Sequence, residues 1–311
     1  MYEIGTAYAV FGGSLRSEVE FPALAPARAD EAPRWTLRVV GAARDAGPCA
    51  LLGEDQVESG VRVRLFRHAS GLRLEYDDTG TFDVLDAGGE IEWHPGAARV
   101  EAARQDVLGR VLPAALHAAG TLCLHGSAVA LEAGGSGFLA PKYHGKSTLA
   151  QALVRSGAAL LSDDVVPAEA GPPPRLYPGV QHVRLWRDSA ARLGDGADVE
   201  EVGGKRRVSP AGAVPAAPVP ALALYLLAPV GAEDAGAAAR RTRLAPLPAA
   251  MALLAHARLG ALMGKEESVV LLDRAVALAA AVPVYTLEVV RDFARLDEAV
   301  ERIRAWHPAA P

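Results

Sequence analysis

The sequence predicts an α/β domain that follows a smaller β-rich domain, and two observations support this division. Between Val61 and Trp93, apolar and polar residues alternate in short segments separated by Gly and Asp, which indicates an antiparallel meander of strands. After Gly120, short apolar segments alternate with segments of helical periodicity, which is typical of an α/β layer. The expected domains are residues 1–100 and 101–311, and the chain of 311 residues is long enough for both.

The composition excludes several classes of protein. Half of the residues are hydrophobic and 22% are charged, so the chain is neither a disordered tail nor a fibrous protein. A net charge of −5, from 32 basic and 37 acidic residues, argues against broad binding of nucleic acid or of an anionic membrane. No apolar run approaches the ~18 residues of a membrane-spanning helix, and Met1 to Ile4 do not begin a secretory signal. With only two cysteines, Cys49 and Cys123, a cytoplasmic location is expected.

The individual elements follow from periodicity. Between Arg99 and Ala119, apolar residues recur at intervals of three and four, which predicts a helix with a kink or break at Pro113. Further strands are expected at Leu122–Leu124, Ala128–Leu131, Gly137–Leu139, Ala158–Leu161, Ala221–Leu227 and Val284–Val289. Further helices are expected at Lys146–Ser156, Pro248–Leu262, Glu267–Ala281 and Leu296–Trp306.

One segment, Gly137 to Thr148, joins a strand, a loop and a helix. Its sequence GFLAPKYHGKST fits the phosphate-binding loop pattern G-x-x-x-x-G-K-[ST] except at one position. In such a loop, backbone N–H groups surround an anion at the positive end of a helix, while the lysine reaches the outer phosphates and the next hydroxyl holds Mg²⁺. Lys146 and Ser147 have these two positions. The predicted phosphate-binding residues are Lys142, Tyr143, His144, Gly145, Lys146, Ser147 and Thr148.

The exception is Ala140, which stands where the pattern has glycine. A positive φ at alanine would cost about 1 kcal/mol or more, so this loop is expected to begin with a different backbone conformation. Pro141 removes one N–H group ahead of the main donors, and little loss of binding is expected from it. The alternative is a chance Gly-Lys-Ser at a helix start, which the preceding strand and the following helix disfavour.

Two acidic residues, Asp163 and Asp164, follow the predicted strand Ala158–Leu161, and Asp163 comes seventeen residues after Lys146. Carboxylates at the end of a strand beside a phosphate loop are well placed to bind Mg²⁺ or to accept a proton. A solvated turn or a helix cap is the alternative. His125 lies in the segment LHGSAV at the end of a predicted strand, where a single histidine is usually structural. It can take part in catalysis only if strand pairing brings it to the aspartates.

Together, the segments LHGSAV, GKST and SDD resemble the catalytic domain of bacterial HPr kinase/phosphorylase and its HPr-kinase-like relatives. The later segment YPGVQHVRLW is similar to the Pro-x-x-x-Leu-Trp region of relatives that modify peptides, such as the lasso-peptide kinases. The resemblance covers roughly Leu108 to Arg207. It implies a P-loop, PEP carboxykinase-like catalytic domain that uses ATP and Mg²⁺.

The resemblance also implies a role for each matching residue. Lys146 and Ser147 would bind ATP and Mg²⁺, and Asp163 would accept the proton of a serine hydroxyl. His125 would support Asp163, and Asp164 would assist the metal. The implied reaction is transfer of the γ-phosphoryl group to a serine of a peptide or small protein. A weakly active nucleotide-binding regulator or scaffold and a small-molecule kinase remain as alternatives, because the fold does not fix the acceptor.

The sequence departs from this family in two respects. It lacks the Arg-Gly signature that the bifunctional enzymes carry after the aspartate pair, and it shows no counterpart of their second Mg²⁺-binding glutamate. Phosphorylase activity and HPr as the substrate are therefore not expected. The family's hexamers leave a homo-oligomer open. Candidates for a cation over the γ-phosphate are the basic residues Lys205, Arg206, Arg240, Arg241 and Arg243, and Tyr177 and Trp186 suit either packing or substrate contact.

Overall fold

A computed structural model describes residues 5–57, 60–180, 182–193, 201–202, 204–209, 215–231 and 236–308. The fold is mixed α/β with several sheets and divides into two units. The first unit comprises Met1–Cys123 and Ala257–Arg274. The second comprises Leu124–His256 and Ala275–Pro311.

The first unit is built on an eight-stranded sheet with the order β1-β2-β3-β8-β7-β6-β5-β4. Its strands are β1 Thr6–Val10, β2 Gly13–Ser17, β3 Trp35–Val39, β4 Ala50–Gln56, β5 Arg62–His68, β6 Gly71–Tyr76, β7 Gly80–Leu85 and β8 Glu90–Pro95. Strands β5 to β8 pair antiparallel in chain order, which confirms the predicted meander. Its core contains the fully buried rings of Phe11, Trp35 and Phe82, and Phe82 stacks on Trp93 at a centroid distance of 5.7 Å.

The helical segment of the first unit has three parts. These are α1 Val100–Asp106, a π-helical turn Val107–Val111 and α2 Leu112–Ala118. Pro113 lies in the first turn of α2, where a missing N–H group is tolerated. The break that the sequence predicts therefore occurs as a π turn just before the proline.

The segment Ala257–Arg274 is held to the first unit by two arginines. Arg258 Nε donates to the Gly109 carbonyl at 2.8 Å, and Arg274 donates to the His117 carbonyl at 3.0 Å. The expected boundary after residue 100 lies inside this unit, because α1, α2 and this returning segment belong to it.

The second unit has a seven-stranded sheet with the order β10-β9-β11-β12-β16-β18-β17 and a further parallel pairing of β10 with β16. Its strands are β9 Leu122–Leu131, β10 Gly134–Leu139, β11 Ala159–Glu169, β12 Arg175–Leu176, β16 Val219–Val230, β17 Ala239–Arg243 and β18 Val284–Val290. A three-stranded sheet contains β13 Val183–Trp186, β14 Glu201–Val202 and β15 Lys205–Val208. The remaining α-helices of the described chain are α3 Lys146–Arg155, α4 Arg187–Leu193, α5 Pro246–Ala255, α6 Lys265–Ala281 and α7 Leu296–Ala305. The part of α6 up to Arg274 belongs to the first unit.

Two strands of this sheet are longer than the sequence predicts. The two expected strands between residues 122 and 131 are one continuous strand, β9. Strand β11 continues through Glu169, so Asp163 and Asp164 lie within it and not after its end. In the part of the chain that the structure describes, no helix has both the length and the apolar character needed to cross a membrane.

Candidate active site

The predicted phosphate loop connects β10 to α3. Gly145 precedes the helix with a φ of 87°, in the left-handed region that glycine adopts without strain. The first turn of α3 contains no acidic residue, and no side chain caps it, so its backbone dipoles suit an anion. Ala140 has no positive φ, whereas Tyr143 has a φ of 68°. The loop therefore accommodates alanine because the left-handed residues occur later in it.

Lys146 is buried at the start of α3, with 8% of its surface exposed. Its Nζ donates to the carbonyl oxygens of Ala140 at 2.8 Å and Pro141 at 3.1 Å. Burial lowers the pKa of Lys146, while the charges of Asp163 and Asp164 raise it. The ammonium group thus lies inside the loop and within electrostatic reach of both carboxylates.

Asp163 joins the loop helix to two neighbouring strands. Its Oδ1 accepts hydrogen bonds from Ser147 Oγ at 2.9 Å and from Ser127 Oγ at 2.6 Å. Its Oδ2 accepts the backbone N–H of Arg184 at 3.2 Å. Burial raises the pKa of the Asp163 carboxyl, the hydrogen bond from Ser127 opposes this, and the charge of Asp164 raises it further. Both oxygens therefore already have partners within the protein.

Asp164 has different surroundings. Its side chain is 36% exposed, and its Oδ1 lies 3.3 Å from His125 Nδ1. The same ring nitrogen is 3.1 Å from the Asp164 carbonyl oxygen. The resemblance implies that His125 supports Asp163, but the imidazole contacts Asp164. A left-handed φ of 71° at Asp164 interrupts the regular alternation of β11, so this side chain does not follow the direction that a regular strand would give it.

Other predicted loop residues have contacts within the loop, with β13 and with α4. Lys142 is exposed, and its carbonyl oxygen lies 2.8 Å from His144 Nδ1. Tyr143 is 63% exposed and stacks on Trp186 at 5.3 Å. Thr148 Oγ1 donates to Ser189 Oγ in α4 at 3.2 Å. These side chains form the rim of the loop and its contact with α4, while the backbone forms its interior.

Three site residues were not predicted: Ser127, Arg184 and His256. Ser127 could have been found, because it lies two residues after His125 on one strand and such residues share a face of the sheet. Arg184 acts through its backbone, which no side-chain pattern reveals. The backbone carbonyl of His256 accepts a hydrogen bond from the backbone N–H of His125 at 2.7 Å. Burial, and then the charges of His125 and Lys146, lower the pKa of His256.

The residues present fit a magnesium nucleotide. A hydroxyl and two carboxylates supply the oxygen ligands that Mg²⁺ prefers, and proteins usually bind this ion through one or two carboxylates together with substrate phosphates. His125 Nε2 is buried beside them and has no hydrogen-bond partner among the described residues, so it can bond to a ligand oxygen. Within the described ranges, no group of three or more His, Cys, Asp or Glu side chains is arranged to hold a metal.

Comparison with known proteins gives a structural likeness and no likeness in sequence. Neither a protein-family model nor a curated protein matches the sequence. The structure is similar to that of the HPr(Ser) kinase/phosphatase from Coxiella burnetii, which is 14% identical, with coverage of 59% of this chain and 90% of that one and a TM-score of 0.28. Because this TM-score is too low to establish a common fold, we base the functional proposal on the side chains of this chain.

Proposed function

We propose that this chain is an ATP-dependent phosphotransferase that moves the γ-phosphoryl group to a hydroxyl, the serine of a peptide or small protein. One observation carries the proposal: the hydroxyl that follows the loop lysine bonds to a buried carboxylate of a neighbouring strand, with Ser147 Oγ 2.9 Å from Asp163 Oδ1. This contact combines an anion-binding helix start, a lysine, a hydroxyl and a carboxylate in one place. Phosphoryl transfer needs these groups because its catalysis consists mainly of positioning and charge neutralisation.

The two aspartates have separate roles in this proposal. Asp163 fixes the Ser147 hydroxyl, and these two residues would hold Mg²⁺, which neutralises charge on the phosphates when it is bound. Asp164 is the more accessible carboxylate, and His125 holds it in place. The acceptor oxygen forms a bond to the γ-phosphorus, the bond from that phosphorus to the bridging oxygen breaks, and the hydroxyl proton moves to Asp164. This assignment exchanges the roles that the resemblance implies for the two residues.

A peptide acceptor is supported by the position of β13. This strand contains the end of the segment that resembles the peptide-modifying relatives, and its Arg184 N–H bonds to Asp163 at 3.2 Å. A substrate that lies along β13 would therefore reach the aspartate pair. Trp186, the last residue of this strand, is 36% exposed.

The proposal can be tested with four variants. Mg-ATP binding is measured by calorimetry, and transfer is measured with γ-labelled ATP against serine-containing peptides, free serine and small-molecule alcohols. Lys146→Met is expected to weaken binding and transfer together, because it removes the cation of the loop. Asp164→Asn is expected to keep binding but to lower transfer at least about 100-fold, the usual contribution of a proton acceptor. Asp163→Asn is expected to weaken the Mg²⁺ dependence of ATP binding.

The matched control is Asp297→Asn, which removes an exposed carboxylate from the first turn of α7 and should retain full activity. No heat with Mg-ATP in the unaltered protein would contradict the whole proposal. Binding without transfer to any hydroxyl would instead support the regulator or scaffold. Transfer to alcohols but not to peptides would support the small-molecule kinase.

A further inference from the structure

A lysine and a tryptophan face each other beside the phosphate loop. Lys205 in β15 is the direct cross-strand partner of Trp186 in β13, and its Nζ lies 4.9 Å from the centre of the indole ring. Directly opposed residues of two antiparallel strands place their side chains on the same face. A lysine over an aromatic face is attracted by the electron density of the ring. The ring therefore holds the Lys205 ammonium group at a defined position.

The same tryptophan contacts the phosphate loop itself. Tyr143 is the third of the four residues between Ala140 and Gly145. Its ring stacks on Trp186 at a centroid distance of 5.3 Å and an interplanar angle of 18°. Tyr143 has a left-handed backbone conformation, which a tyrosine adopts only where its surroundings hold it. The aromatic pair thus connects the rim of the loop to the strand pair that carries Lys205.

Lys205 also lies within electrostatic reach of the loop lysine, Lys146. Repulsion from Lys205 and Lys142 contributes to lowering the pKa of Lys146, after the larger effects of burial and of the two aspartates. Lys205 has no ion pair with any described carboxylate. Two cations held near each other are favourable when a multiply charged anion lies between them.

We infer that Lys205 is the second cation of the triphosphate site, that it contacts the outer phosphates, and that the Tyr143–Trp186 pair positions it. This inference rests on the proposed function, because it names a further residue of the same site. The Trp186 ring keeps the ammonium group of Lys205 beside the loop, and the flexible side chain is expected to exchange this contact for the stronger charged contact with phosphate when a nucleotide binds. Lys205 is therefore the basic residue that the sequence alone left open among several candidates.

The experiment compares Mg-ATP with Mg-ADP, which lacks the outermost phosphate. Lys205→Met is expected to weaken Mg-ATP binding about tenfold, as for the loss of one charge-assisted contact, and to change Mg-ADP binding less than about twofold. Lys205→Arg keeps the charge and should restore most of the Mg-ATP affinity. Mg-ATP should also alter tryptophan fluorescence in the unaltered protein, and this signal should be absent in Trp186→Phe.

Arg192→Met is the matched control. Arg192 also lies over an aromatic ring, Phe293, at 4.9 Å, and its carbonyl bonds to Arg155 at the opposite end of α3 from Lys146. This change removes one charge and one cation–ring contact without touching the loop. If Lys205→Met matched Arg192→Met for both nucleotides, or weakened both nucleotides equally, the role of Lys205 would be refuted while the proposed function stood. If the unaltered protein bound neither nucleotide, the proposed function itself would fail. Equal Mg-ADP binding by Lys205→Met and the unaltered protein shows that the variant is folded.

Discussion

Asp163 and Asp164 are adjacent in the sequence, yet their surroundings give them different chemistry. Asp163 is 7% exposed and accepts bonds from two serine hydroxyls and a backbone N–H group. Asp164 is the more exposed of the two and has a left-handed backbone conformation. Asparagine adopts this conformation as readily as aspartate does. The variant Asp164→Asn therefore removes the charge without straining the strand, which makes it a clean probe of proton acceptance.

Asp106, in the first unit, is expected to destabilise the protein at neutral pH. Burial raises its pKa from 3.8 to about 6, although the hydrogen bond that Thr79 Oγ1 donates at 2.6 Å lowers it. Because the folded state binds this proton more tightly, its contribution to stability is fully present below pH 3.8 and is lost as the pH rises through about 6. The shift corresponds to about 3 kcal/mol at most. Asp106→Asn should raise the free energy of unfolding by about 1–3 kcal/mol at pH 8 and leave it nearly unchanged at pH 4.

Urea denaturation at several pH values measures this difference. The control is Asp30→Asn, since Asp30 is exposed and pairs with Arg28 at the surface. Curves of stability against pH that run parallel for Asp106→Asn and the unaltered protein would show that Asp106 does not titrate as described.

At the scale of single elements, the start of the phosphate loop depends on how closely β9 approaches β10. Gly126 lies between His125 and Ser127, and a Cβ atom there would come within 2.7 Å of the Phe138 carbonyl oxygen. Gly126→Ala should therefore force the strands apart, at a cost of about 1–3 kcal/mol, and displace both neighbours from the aspartates. We expect a melting temperature several degrees lower and weaker Mg-ATP binding.

Gly171→Ala is the matched control for this change. Gly171 lies in a loop of the same unit, and a Cβ atom there meets nothing within 4 Å. Thermal denaturation and calorimetry on both variants provide the comparison. Equal melting temperatures for the two would mean that β9 and β10 do not need this close approach.

Periodicity in the sequence predicts some elements of the fold and misses others. The meander and the helix after Lys146 have clear local patterns, and both occur close to the predicted residues. The continuation of β11 past the aspartates was not predicted, because two acidic residues and Pro167 are unusual inside a strand and indicate its end. The π turn Val107–Val111 was also missed, because its wider spacing differs little from helical periodicity over one turn.

The candidate site also has a part that the sequence predicts and a part that it does not. The loop residues were predictable because their pattern is local in sequence. The hydrogen bond from Ser127 to Asp163 joins residues 36 positions apart, and it depends on which strands are neighbours. The stack of Tyr143 on Trp186 likewise depends on where β13 runs. No local pattern contains either contact.

At the scale of the whole molecule, the first unit contains two separate parts of the chain. Its second part, Ala257–Arg274, is secured by hydrogen bonds to carbonyl groups, such as those from Arg258 to Gly109 and from Arg274 to His117. Backbone carbonyls occur at every residue, so such bonds leave no trace in the sequence. A chain that returns to an earlier unit cannot be recognised from composition, which is why a single boundary was expected.

The stability of the whole chain should decrease in mild acid because of its buried histidines. Burial lowers the pKa of His117 to about 4, of His182 to about 3 and of His307 to about 4. Their usual value is 6.5, so between that pH and the lowered values the unfolded state binds more protons. Their contribution to stability is fully present above pH 6.5 and is lost as the pH falls. Asp106 and Asp163, whose pKa values burial raises, act in the opposite sense, whereas His256, whose pKa burial lowers, acts in the same sense as the three histidines.

We therefore expect the free energy of unfolding to fall between pH 7 and pH 5, by about 2 kcal/mol for a histidine as buried as His182. His182→Gln cannot take up this proton, so its stability should change less with pH over that interval. The urea midpoint of His182→Gln should consequently rise relative to that of the unaltered protein as the pH is lowered, whatever their difference at pH 7. An unaltered protein that gained stability on acidification would show that Asp106 and other carboxyls outweigh the histidines, because the sign of the slope reports which state of the chain binds more protons.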